Sequence, residues 1–208
     1  MKYLEFTDVE IHELKSEIIG ETFEILVKQP DPQILSLFGN KPLPVVYGTD
    51  ANLSAGGYIN TLEGLLLGGE IPPVLFIGIR YKLGDEPDFM QFATSRTREF
   101  TPTEDVENQK LMEQMTLREV KGGGAENFLK FLTTELRDWV SERFNVSDDT
   151  TYIGDSMGGL FGLYTLFTEP RAFKRYVIGS PWQEWNHPTT FELEELSLIH
   201  ISEPTRPS

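Results

Sequence analysis

Gly154-Asp155-Ser156-Met157-Gly158-Gly159 lies between a short β-forming run, Thr150-Thr151-Tyr152-Ile153, and an apolar run of small residues from Met157 to Thr168. A strand that turns directly into a helix restricts this chain more than any other feature, because few folds tolerate so sharp a reversal. Glycines at 154 and 158 suit a turn in which the central residue is strained and neighbouring backbone comes close. A bare G-x-S-x-G arises by chance in roughly one chain in fifteen of this length. The strand before it and the helix after it give the pattern its weight, and a glycine-rich turn around an inert serine stays open on the pattern alone.

The rest of the chain predicts an α/β fold that can hold such a turn. Val9 to Lys15 and Thr22 to Lys28 flank Ile19-Gly20-Glu21 and read as an antiparallel strand pair. Leu43 to Tyr47 reads as a strand, Leu53 to Leu67 as a helix, and the almost wholly apolar Val74 to Ile79 as a parallel strand covered on both faces. Ala125 to Phe144 places Phe128, Leu129, Leu132, Leu136, Trp139 and Val140 at helical spacing, and Tyr176 to Gly179 is a further strand. Strands alternating with helices imply a mainly parallel sheet. Tyr81 to Gly124 shows no sustained period and reads as a long polar connection that serves a site.

A strained turn of this kind suits nucleophilic catalysis. A serine hydroxyl attacks only when a base takes its proton, so it must stand on a rigid, accessible tip. That makes Ser156 the candidate nucleophile and the Met157 amide, at the positive end of the following helix, the first candidate donor to an oxyanion. Composition narrows the alternatives. Thirty-three acidic residues against 18 basic ones give a net charge of −15, which disfavours nucleic acid and anionic lipid as partners. The lack of cysteine excludes disulfides, thiolate zinc sites and a cysteine nucleophile. The polar opening residues and the absence of a long apolar run predict a cytoplasmic protein with no membrane segment.

Four segments in order then resemble the putative-esterase group, which includes the enterochelin (siderophore) esterases, of the α/β-hydrolase fold. They are Glu21 to Val27, Arg98-Glu99-Phe100-Thr101-Pro102-Thr103, Gly123 to Leu129, and Gly154 to Leu160, with Ser180-Pro181-Trp182 as a further match. The resemblance runs over nearly all of the chain to Glu195. It implies a serine esterase acting on a small-molecule ester through an acyl-enzyme, with no metal or organic cofactor. It also implies an arginine facing the site, Arg98 first and Arg96 second. Pairing of both arginines with surface carboxylates is the competing reading. A second backbone donor is expected from Gly48-Thr49-Asp50, with Asp50 structural. An acyltransferase on the same scaffold and a non-catalytic binding relative are the alternative functions.

The chain departs from that family in one respect. In this fold the acid and histidine follow the serine on later loops. His12 lies in the first strand and His187 follows the strand ending at Gly179 too closely, so both are expected in surface or loop roles. Leu196 to Arg206 resembles the translation of a common transposon-based sequencing adapter, a natural short strand with a polar tail being the alternative. On the adapter reading, residues 1–195 are an α/β-hydrolase domain lacking its last strands, residues 196–208 are a non-native tail, His200 is an artefact, and the chain itself is inactive and prone to aggregate.

Overall fold

The computed structural model describes residues 8–83 and 88–199. Alternation of apolar side chains shapes the sheet first. In β2 (Thr22–Lys28) Ile25 and Val27 face one side and Leu26 the other, and in β3 (Leu43–Gly48) Val45 and Tyr47 oppose Val46. β1 (Val9–Lys15) pairs antiparallel with β2, and β2 antiparallel with β4 (Leu75–Tyr81). From there β4, β3, β5 (Val146–Asp155) and β6 (Arg175–Gly179) run parallel, giving a six-stranded sheet of order β1-β2-β4-β3-β5-β6. The expected α/β class, antiparallel opening pair and mainly parallel sheet are all present.

Helices cover both faces. α2 (Ala51–Leu67) packs Ala51, Ala55 and Ile59 onto Leu26, Val46 and Phe76. The opposite face carries the larger core, where Phe92 and Phe100 of α3 (Phe89–Phe100) join Phe128, Phe131 and Leu132 of α5 (Ala125–Thr133). Leu136 of α6 (Glu135–Arg143) and Phe161 of α7 (Met157–Thr168) complete it, against Phe23, Ile25, Tyr47 and Ile77. Each fully buried Phe or Leu of this kind is worth about 1.5–3 kcal/mol relative to exposure. α1 (Pro32–Leu37), α4 (Val106–Thr116) and α8 (His187–Ile199) complete the fold. Among the described residues no helix is long and apolar enough to cross a membrane.

Four expectations change. The connection from Tyr81 to Gly124 contains α3 and α4. Asp88 and Asp105 cap them, each accepting from the second and third amides of its helix. Their period escapes the sequence because the buried face of α3 includes the polar Thr97 and Glu99. The helix expected over residues 125–144 divides at Thr134, where the hydroxyls of Thr133 and Thr134 bond back to the carbonyls of Leu129 and Lys130. β5 begins at Val146 rather than Thr150, because a register shift between Leu43 and Val45 accommodates extra residues on β5. The helix α8 continues through Ile199, so residues 196–199 are helical and not a strand, whereas His200 and the rest of the tail lie outside the described residues.

Candidate active site

The sheet order places a site before any side chain is considered. From β3 the chain first moves to β4 on one side and later to β5 on the other, so the carboxyl ends of β3 and β5 flank a topological switch point, where open α/β sheets bind ligands. Two helices begin there: α2 directly after β3 and α7 directly after β5. Their free N-terminal amides make this end of the sheet electropositive.

Ser156 occupies the turn at the end of β5 with φ 58° and ψ −116°, a conformation that costs a non-glycine residue about 1–3 kcal/mol. Three backbone hydrogen bonds impose it. The Ser156 amide donates to the Gly179 carbonyl at 3.0 Å, and the Ser156 carbonyl accepts from the amides of Leu160 and Trp182, each at 3.0 Å. The glycines are required by close approach: a Cβ on Gly154 would lie 2.6 Å from the Gly158 carbonyl oxygen, and one on Gly158 would lie 2.6 Å from Thr49 Oγ1. The Tyr152 hydroxyl donates to the Gly158 carbonyl at 2.6 Å and shares a hydrogen bond with Thr49 Oγ1 at 3.1 Å, which fastens the first turn of α7 to the loop after β3. Ser156 is half-buried, and among the described residues nothing hydrogen-bonds to its Oγ. Met157 lies under the turn, its sulfur accepting from Thr97 Oγ1 at 3.6 Å, so α3 packs directly against the elbow.

The loop after β3 contributes a second strained residue. Asp50 is left-handed at φ 55° and is 5% exposed. Its two carboxylate oxygens accept from Nε and Nη2 of Arg96 at 2.9 and 2.6 Å, and the Arg96 guanidinium lies over the rings of Phe92 and Phe100. Burial pushes the Asp50 carboxyl above the ordinary carboxylate range, and Arg96 opposes that shift. Arg98 turns elsewhere, to Glu99 Oε1 at 2.6 Å and Glu21 at 3.3 Å. The two arginines of α3 therefore separate, with Arg96 beside the elbow and Arg98 tied to the edge of the β1–β2 hairpin. No local pattern signals the Arg96–Asp50 pair, whose members are 46 residues apart.

Glu99 is a further group that sequence reasoning missed. Oε1 accepts two bonds from Arg98, whereas Oε2 is buried with no donor in good hydrogen-bonding geometry, the Tyr81 hydroxyl lying nearby. Burial raises its pKa from 4.5 to about 7, against the pull of Arg98. Between those values the unfolded chain ionises first, so folding loses stability as pH rises through about 7. Glu99 is expected to contribute about 3 kcal/mol below pH 4.5 that disappears above pH 7. Urea unfolding at pH 5 and pH 8 should show this loss in the wild type and its absence in Glu99→Gln. Equal pH dependence of the two proteins would refute it.

Neither described histidine joins Ser156. His12 lies on β1, four strands from β5 and thus roughly 19 Å away at ordinary strand spacing, and it bonds to Glu10. His187 opens α8, exposed, with its ring against Phe191. No group of residues that could hold a metal ion occurs among those described.

Comparison with known proteins identifies the family and the fold. The family model described as "Putative esterase" matches residues 16–197. The ferri-bacillibactin esterase BesA of Bacillus subtilis is 36% identical over 154 residues, which is 70% of this chain and 50% of that protein. The siderophore triacetylfusarinine C esterase of Aspergillus fumigatus is 29% identical over 199 residues, 89% of this chain and 62% of that one. The chain thus spans about half to three-fifths of the length of these relatives. Among solved structures, the BES protein from Bacillus cereus superposes with a TM-score of 0.76 at 24% identity, covering 99% of this chain and 73% of that one. The siderophore hydrolase EstA from Aspergillus nidulans gives 0.73 at 22% identity, covering 98% and 69%. With an α/β-hydrolase sheet and a family match over most of its length, the chain belongs to the esterase family that this model describes.

Proposed function

We propose that the chain carries the nucleophile half of a serine carboxylic-ester hydrolase, a reading supported above all by Ser156 in its strained turn at the switch point. Ser156 Oγ attacks the ester carbonyl carbon and the Met157 amide stabilises the oxyanion. The alcohol leaves with a proton, and water then hydrolyses the acyl-enzyme. Arg96 takes the part first expected of Arg98. With Nε and Nη2 on Asp50, its Nη1 remains to meet a substrate oxygen. The substrate class follows the relatives whose names describe siderophore esters.

The general base and its acid come from residues beyond those described, in keeping with the chain order serine, acid, histidine of this fold. The 208-residue chain by itself is therefore expected to release no burst of p-nitrophenolate from p-nitrophenyl acetate above that of Ser156→Ala. A burst that depends on Ser156 would show that the base is already present. In a protein that carries the later histidine, Ser156→Ala should lower hydrolysis by on the order of 10⁴-fold or more. Undiminished hydrolysis there would remove Ser156 as nucleophile.

A further inference from the structure

The nucleophile's carbonyl is held by the amide of Trp182, at 3.0 Å, in the loop that leaves β6 on the same end of the sheet. The Trp182 indole is half-buried. One part packs on the main core and meets the ring of Trp185 edge-on, with centroids 5.8 Å apart. Trp185 is itself fixed: it is 1% exposed and its Nε1 donates to the Thr103 carbonyl at 2.9 Å. Asn186 adds hydrogen bonds to Asp105 and Thr103. The mount of Trp182 is therefore rigid, while among the described residues its own indole N–H has no partner. A flat apolar ring with an unused donor, on a residue whose amide bonds to the Ser156 carbonyl, costs little entropy to order when a ligand arrives.

We propose that Trp182 is a specificity-determining residue, the platform on which a planar conjugated part of the ester lies next to Ser156, with Trp182 Nε1–H available to an oxygen of that group. This inference rests on the reading of Ser156 as the nucleophile. It predicts that aromatic esters are favoured over saturated ones of the same size, because ring–ring contact adds to area burial only when the ligand is aromatic.

The test is binding, read by fluorine NMR of the 208-residue chain carrying 5-fluorotryptophan at its three tryptophans, with lines assigned through single Trp→Phe variants. Ethyl benzoate should move the Trp182 line saturably and the Trp139 line little, and ethyl cyclohexanecarboxylate should bind roughly three- to tenfold more weakly. Trp182→Leu should bring the two esters to equal affinity, as read from saturation transfer to the ligands, whereas Trp182→Phe should keep the preference. A still Trp182 line, or a saturated ester that binds as tightly as the aromatic one, would overturn the proposal. The wild-type titration decides even if Trp182→Leu fails to fold. An inert Ser156 would leave the shift in place, and an absent shift would leave the hydrolysis test of Ser156 untouched, so the two readings fail separately.

Discussion

Arg96→Met is expected to destabilise the chain by about 3–5 kcal/mol, the usual loss when one member of a buried ion pair is removed. The cause is the partner left behind. Asp50 is 5% exposed, both of its oxygens are bonded to Arg96, and its backbone is already left-handed, so a carboxylate there without Arg96 is neither solvated nor neutralised. The lost cation also gives up its contacts over Phe92 and Phe100. In the variant Asp50 can escape only by taking a proton. Its folded pKa then stands further above the unfolded value, and stability falls as pH rises through it. Urea unfolding should therefore show a larger deficit at pH 8 than at pH 5, and Asp50→Asn should recover part of it in the double variant. A loss below about 1 kcal/mol, independent of pH, would mean that water reaches this pair freely.

Trp185→Ala should cost a comparable amount, about 3–5 kcal/mol, or on the order of 1.5–2 M in the urea midpoint. Trp185 is among the largest fully buried side chains and connects three segments that are distant in sequence. Its indole donates to Thr103, its ring edge fills the space above Gly122, where a Cβ would come within 2.6 Å, and it supports Trp182. Truncation leaves a cavity and an unpaired Thr103 carbonyl together. The loop from Ser180 to Asn186 should loosen first, which hydrogen exchange at the Trp182 amide would detect, since that amide bonds to the Ser156 carbonyl. Trp185→Phe, which keeps most of the volume but loses the donor, should fall between wild type and Ala. An unchanged urea midpoint in Trp185→Ala would show that the loop is held by its polar contacts alone.

These two residues also mark where sequence reasoning ended. The apolar strands, the antiparallel opening pair and the elbow were legible, because each depends on residues adjacent in the chain: alternation sets the faces of β2 and β3, and Gly154 and Gly158 admit the turn at Ser156. Candidate chemistry at Ser156 and Met157 could be inferred for the same reason. The helices α3 and α4 were not legible, since α3 buries Thr97 and Glu99 among its aromatic residues and a search for apolar period passes over them. The choice between Arg96 and Arg98 was equally out of reach. The residues are two apart on one helix, and each has carboxylates within reach of some fold of an acidic chain.

Local backbone sterics and the spacing of apolar side chains suffice for the class of sheet, the strained serine and the helix that starts behind it. Tertiary structure alone decided which arginine stands at the elbow, that Glu99 is buried with a raised pKa, and that Trp185 bolts the loop after β6 to Thr103, 82 residues earlier. Such contacts depend on which carboxylates and rings the completed sheet brings together. Burial then multiplies their strength, and no window of adjacent residues contains that information.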